Sequence, residues 1–414
     1  MLYTASKPLG VWFPSSGGDP ELGSPLDRTF LIILLCVALM LLVRRKFDWT
    51  KAIRANPWLI LLVGFMLVSV FWSGMPFVSF KRWTRELVAV LMAFIVLSEP
   101  TPRRAVESIL RRTIYVLIPF SVLLIKYFPW YGVEYGRWSG ARMWIGVTQQ
   151  KNGLGSLCVI SVFFLIWSLV GRWKIKSGSV WKYEPHVELL LLVISIWLLR
   201  GPTGDFFYSA TSSYSLCIGL LVYCGMMVAK RYGRFFSAAT FMIIAASIIV
   251  LGILILFKGG SSIEFAASGA GRDASLTGRT TVWAALVPVA MKRPLLGNGF
   301  GGFWTIRSRA DYKISGAHSG YLDVLLGLGF AGILLTSIFI LSSCKKAHLM
   351  LCRDFDWGAL WICYIMIALV HNMTESSIDS LSAHLTAVII FFTVTSTSLI
   401  LPKYLFSGIE PSKS

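Results

Sequence analysis

Apolar residues run in long blocks along almost the whole chain, separated by short segments rich in Arg, Lys, Gly and Pro. The blocks are Phe30–Val43, Trp58–Trp72, Leu87–Leu97, Ile114–Phe128, Leu154–Val170, Val187–Leu199, Ser213–Val228, Phe236–Phe257, Gly320–Leu341, Trp357–Val370 and Thr386–Leu401. Most approach the ~20 residues a helix needs to cross a hydrocarbon core, and the shorter ones need interfacial flanks. A membrane β-barrel would instead show strands of about ten residues with alternating polarity. The pattern predicts an all-α chain, a polytopic transmembrane helical bundle of about eleven spans. Trp58, Trp72, Trp83, Trp130, Trp181 and Trp357 stand near block ends, where aromatic belts form. One long polar stretch interrupts the series. It divides a single integral membrane domain into N-terminal helices (1–257), a large loop (258–318) and C-terminal helices (319–414).

Composition agrees. Of 414 residues, 56% are hydrophobic and 14% charged, against roughly 25% charged in soluble domains. The net charge of +19 would suggest a nucleic-acid partner on a soluble chain. Here basic cytoplasmic loops account for most of it, and no nucleic acid is expected. Arg44-Arg45-Lys46, Arg103-Arg104 with Arg111-Arg112, Arg172 to Lys182, Lys230-Arg231, and Lys345-Lys346 with Arg353 alternate with sparser loops. That alternation places the 258–318 loop on the outer face, since long loops cross largely regardless of charge. It also puts the N-terminus outside and Lys403–Ser414 inside. Met1–Arg28 lacks the basic start and small-residue cleavage site of a signal peptide, so the first apolar run is expected to stay. None of the seven cysteines lies in the loop and no Cys-x-x-Cys occurs, so neither a disulfide nor a thiolate metal site is expected.

Five outer-face segments carry candidate chemistry. Thr277-Gly-Arg279-Thr-Thr-Val-Trp283 reads as the capped start of a short helix reaching Met291, with an apolar side that could rest on the membrane surface. Arg279 in its first turn would add a guanidinium to free N–H groups, and both bind phosphate oxygens; the plainer reading is a cation snorkelling to headgroups. Pro294-Leu-Leu-Gly-Asn-Gly-Phe-Gly-Gly-Phe-Trp304 is not a dinucleotide fingerprint, because no strand precedes it. It reads as a backbone turn in close approach, with aromatics for sugar stacking. His318, with Asp323 as a candidate orienter, could take a proton from a sugar hydroxyl, or be structural. Arg142 and Lys151, beside Asn152, could hold an anion or anchor at the interface. Asn372-Met-Thr-Glu375 supplies a carboxylate, its sequon being taken as chance, and Arg200 a further cation. No His, Asp or Glu cluster has metal-ligand spacing.

These pieces, in this order, resemble the O-antigen ligase and polymerase superfamily, in particular bacterial exopolysaccharide-production membrane proteins. The quoted residues are Gln150-Lys-Asn-Gly153, Gly278-Arg-Thr-Thr-Val-Trp283, the Pro294–Trp304 stretch, His318-Ser-Gly-Tyr-Leu-Asp323 and Asn372-Met-Thr-Glu-Ser376. The resemblance implies a membrane glycosyltransferase of C-type architecture, with short helices in one long periplasmic loop and its active face periplasmic in the bacterial inner membrane. It implies an undecaprenyl-diphosphate-linked oligosaccharide as donor, no cofactor and no metal. By the family pattern Arg279 would grip the diphosphate and His318 would serve the acceptor hydroxyl. Arg142, Lys151 and Arg200 would add donor charge; Trp283 and Trp304 could line a groove or stack on sugars, the plainer reading being that they pack in the core. The chain departs from many relatives at Ser209-Ala-Thr-Ser-Ser-Tyr-Ser215, where they carry a Ser-Arg or Ser-Lys pair; Arg200 is the candidate substitute. The expected activity is polymerisation of exopolysaccharide repeat units, in concert with other export proteins. The alternatives are a ligase that transfers finished glycan to a lipid A core, and a flippase for the same lipid-linked sugars.

Overall fold

The computed structural model describes residues 2–3, 5–13, 24–136, 140–174, 184–202, 209–234, 236–258, 279–314 and 316–397. Much of the polar loop, including Thr277 and the Gly-rich runs at 259–262 and 269–271, therefore lies outside the described residues. In chain order the helices are α1 (Leu9–Trp12), α2 (Pro25–Arg44), α3 (Trp49–Ala55), α4 (Pro57–Val68), α5 (Pro76–Leu97), α6 (Pro102–Tyr127) and α7 (Pro129–Gly132). A small hairpin, β1 (Val133–Tyr135) and β2 (Arg142–Trp144), pairs antiparallel with Val133 opposite Trp144. Then come α8 (Lys151–Lys174), α9 (Glu184–Arg200), α10 (Ala210–Arg231) and α11 (Ala238–Phe257). Last are α12 (Arg279–Ala290), α13 (Ile306–Tyr312), α14 (Gly320–Arg353), α15 (Phe355–His371) and α16 (His384–Thr395).

Local chemistry explains where many of these helices begin. α2, α4, α5, α6 and α7 each open on proline at their first position, where the missing N–H costs nothing and the fixed φ suits the turn. Asp48, Ser237 and Asp354 instead cap α3, α11 and α15 by accepting from a backbone N–H three residues on. All eleven apolar blocks fall on helices; the last continues past Thr397, beyond the described residues. Among the described residues, six helices are long and apolar enough to cross a membrane. A seventh is the α3–α4 pair, bent by 95°, if it counts as one span.

The core is organised around α15. Residues 357–369 are buried on every side, as expected of a helix that is apolar all round and enclosed by others. It packs against α8, α10, α11, α14 and α16. α2 lies at the opposite extreme, with most of its apolar surface outward.

α14 is broken at Gly329, whose φ is 65° and ψ −164°. The Gly-rich turn repairs the break. The Asn298 N–H and its side-chain amide both donate to Leu326 O, at 2.9 Å each. Phe330 N–H donates to Pro294 O at 2.7 Å, and Ala331 N–H to Leu295 O at 3.1 Å. A Cβ on Gly297 would stand 2.6 Å from the Gly327 backbone, and one on Gly329 2.4 Å from Leu295 O. The close approach expected of these glycines is thus to the chain's own broken helix, whose freed backbone groups need partners away from water.

Candidate functional site

Side-chain contacts sort the helix ends into two sets. At one end of the bundle the starts of α8, α10, α12 and α14 meet the loop that follows α15. Asn372 shapes this loop. Its side-chain oxygen accepts from Ser377 N (2.8 Å) and Ile378 N (3.0 Å), and its amide donates to Ala368 O and Ser377 Oγ. Such a side chain mimics a backbone turn. Asn372 is fully buried. Gly320 N–H reaches the carbonyls of Asn372 and Glu375, both at 3.0 Å. A Cβ there would collide with the Asn372 side chain, so the glycine after His318-Ser319 lets α14 dock.

Glu375 is the hub. Its side chain is 5% exposed, and Oε1 accepts from both the Arg279 guanidinium and the Asn152 amide. His318 Nδ1 lies 3.5 Å from Oε2. Arg279 also donates to Thr374 O and, at 3.5 Å, to Thr211 Oγ1, which itself bonds Thr374 Oγ1 at 2.7 Å. Burial alone would raise the Glu375 carboxyl. The His318 hydrogen bond and the charge of Arg279 outweigh burial and hold the carboxyl below its ordinary value. His318 adopts a left-handed backbone, φ 51°, rare for a non-glycine residue and most frequent at turns and sites.

Three expectations change. Asp323 does not turn toward His318; it accepts from Trp304 Nε1 (2.7 Å), Ala317 N (3.3 Å) and Ser376 Oγ, and Glu375 takes the orienting place. Trp283 is 1% exposed and donates to Ala317 O at 2.9 Å, so its ring is packing and offers no face to a sugar. α12 lays Trp283 and Leu286 against α11 and α14 rather than on a membrane surface. Trp304 stays partly exposed beside a small cavity of about 220 Å³, with Arg82, Arg85, Arg309 and Asp379. Asp379 is pushed up to about 8 by burial, then by the nearby carboxylates of Asp323 and Glu86. Arg142 is exposed on β2, Arg200 is exposed at the end of α9, and Lys151 is half-buried at the start of α8. Ser209 and Ser212, at the family's departure point, lie where a Cβ on Gly155 would stand 2.4 Å from each hydroxyl, so this segment serves close approach of α8 and α10.

A cavity of about 320 Å³ opens beside the hub, bordered by Asn152, Glu375, Gln149, Gln150, Arg85 and His371. Two of these were missed in the sequence. Arg85 stands on α5 next to Glu86, a fully buried carboxylate that accepts from Ser382 N (2.7 Å) and the Ser380 hydroxyl. The signal was present: Lys81, Arg82, Arg85 and Glu86 interrupt an apolar segment, and ionisable groups in such helices mark function. His371 is 3% exposed and neither ring nitrogen has a partner; in the sequence it reads as the end of an apolar run. Among the described residues no group of three or more His, Cys, Asp or Glu is placed to hold a metal ion.

Residues 203–337 match the O-antigen ligase family model, a segment that includes Arg279, the Gly-rich turn and His318 but neither Asn152 nor Glu375. The chain is 22% identical over 357 residues to the exopolysaccharide production protein ExoQ of Rhizobium meliloti (strain 1021), covering 81% of this chain and 75% of that one. No solved structure matches. The chain is a multi-pass membrane protein in which residues 203–337 are similar to the O-antigen ligase family and which resembles an exopolysaccharide-production protein along most of its length.

Proposed function

We propose that this protein is an inner-membrane polymerase of undecaprenyl-diphosphate-linked repeat units, acting on the periplasmic face. On this reading all eleven apolar helices span the membrane, and residues 258–318 form the outer loop between 1–257 and 319–414. The observation that carries it is convergence: Asn152, Arg279 and His318, from three distant stretches, all address one buried carboxylate beside a polar cavity.

The chemistry follows from that hub. An acceptor hydroxyl attacks the donor's anomeric carbon, the glycosidic C–O bond to the diphosphate breaks, and charge grows on the leaving oxygen. Arg279, preorganised by Glu375 and Thr374 O, stabilises that charge in a partly dry cleft. With Nδ1–H directed at Glu375, the other imidazole nitrogen of His318 carries the lone pair that accepts the hydroxyl proton. Arg142, Lys151 and Arg200 stand as outlying donor contacts, and Trp304 as the remaining aromatic.

The O-antigen ligase description of residues 203–337 favours a second reading, transfer of finished glycan to a lipid A core or similar acceptor. A flippase is disfavoured: helix breaks in transporters present freed backbone to the substrate, whereas the break at Gly329 is bonded by residues 294–298. Purified protein incubated with lipid-linked repeat units decides. Longer lipid-linked products support the polymerase, transfer only to an added core acceptor supports the ligase, and no glycosidic product with either overturns both.

A further inference from the structure

A larger groove, about 720 Å³, runs between α2 and α5. Its two halves differ in chemistry. One is apolar, built from the half-buried Leu31 and Leu35 of α2 and the exposed Phe77 and Phe80 of α5. The other is cationic: Arg28 from α2, Lys81, Arg82 and Arg85 from α5, and Arg309 from α13. Among the described residues the lining holds a single carboxylate, Asp27, which is already engaged by the Tyr3 hydroxyl (2.6 Å) and the N–H groups of Leu9 (2.7 Å) and Gly10 (3.0 Å).

These cations are not a fringe at a helix tip. Lys81 to Arg85 fall five to nine residues past the start of α5, about 8 to 14 Å along its axis. Arg82 is fixed by the carbonyls of Gly301 and Trp304, and Arg85 by Glu86 at 3.2 Å. Fixed guanidinium groups above an apolar slot match one class of ligand, a long-chain lipid ending in phosphate or diphosphate. Arg85 and Gln149 border both this groove and the 320 Å³ cavity beside Glu375. A sugar borne on that phosphate would therefore extend past Arg85 into a cavity lined by the amides of Gln149, Gln150 and Asn152.

We infer that the α2–α5 groove is a second lipid-phosphate site, separate from Arg279, and that it holds the lipid-linked acceptor while its sugar reaches Glu375. The acceptor role rests on the polymerase reading; the lipid-phosphate site does not.

The test uses full-length protein in detergent, bearing Arg279→Ala so that binding at the donor side is weakened. Retention of undecaprenyl phosphate is measured by native mass spectrometry, with melting temperature as the folding check. Arg28→Glu with Lys81→Glu is expected to weaken retention about tenfold or more. Leu35→Trp, which fills the apolar half without touching charge, is expected to weaken it as well. Unchanged retention in both variants overturns the site. Displacement by equimolar phosphatidylglycerol reduces it to an ordinary headgroup contact, and equal displacement by inorganic diphosphate means the slot does not read the chain; either result overturns the proposal. In protein with Arg279 intact, Arg28→Glu with Lys81→Glu is expected to raise KM for lipid-linked acceptor with kcat little changed. Weakened retention with no elongation by either protein would leave the lipid site standing and sink only the polymerase reading.

Discussion

The two ends of the bundle use the same residue types for different ends. At the end carrying Arg103 and Asp354, separate ion pairs and charged hydrogen bonds each join one or two helices. Arg103 pairs with Asp354 and lies over Trp357; Arg111 joins Glu188 (3.1 Å) and Glu107 (3.0 Å); Lys346 binds Ala55 O (2.8 Å) and Asn56 (2.7 Å). At the Glu375 end, one buried carboxylate takes an arginine and an amide and faces a histidine, and it borders open space. A shared carboxylate positions several groups at once and leaves each with spare hydrogen-bonding capacity toward a cavity.

The largest effects should come from the hub. Arg279→Ala and His318→Ala should each cut polymer formation by about a hundredfold or more with the protein still inserted, measured as product length in membranes. Normal chain lengths in either variant would erase the distinction between the two ends. Glu375→Gln keeps the shape and removes the charge, and should cost about tenfold, the scale of one charged hydrogen bond. It should also change the acid response. Because the folded carboxyl lies below its ordinary value, its stabilisation is complete above the unfolded value and lost as pH falls through the folded one. Wild-type melting temperature should therefore drop below about pH 4 more steeply than that of Glu375→Gln.

Opposite behaviour is expected from the other end. Arg103→Ala should lower melting by a few degrees at most, since half-exposed pairs are worth about 1 kcal/mol or less, with chain length unchanged. A large activity loss there would mean the fastening end also sets the site. The smallest effect should follow a chelator, which is expected to leave activity in membranes intact; loss restored only by a divalent ion would replace the guanidinium account.

Much of the fold could be read from the chain. Apolar runs of span length, prolines at helix starts and the interruption at residue 258 locate the helices, because these are local properties of the backbone and its solvent. Arg279, His318, Asn152 and Glu375 were also visible as polar residues at the ends of apolar runs. Trp283 could be read from the chain either as a sugar platform or as packing, and its burial and the bond to Ala317 O decide for packing. The glycines at 297, 299 and 301 announced close approach but not to what. Arg85 and His371 were hidden inside helices, where position along the chain does not tell which side faces a cavity.

The sequence by itself determined a membrane-embedded, helical protein with cations and one imidazole near its helix ends, because apolar length and helix-start chemistry act between near neighbours. Only the tertiary structure decided that residues 96 and 223 positions apart meet at the same carboxylate, and that α2 and α5 enclose a charged groove. Hydrogen bonds and desolvated charge depend on ångström-scale separation, and those separations are set by how whole helices pack, which no local pattern encodes.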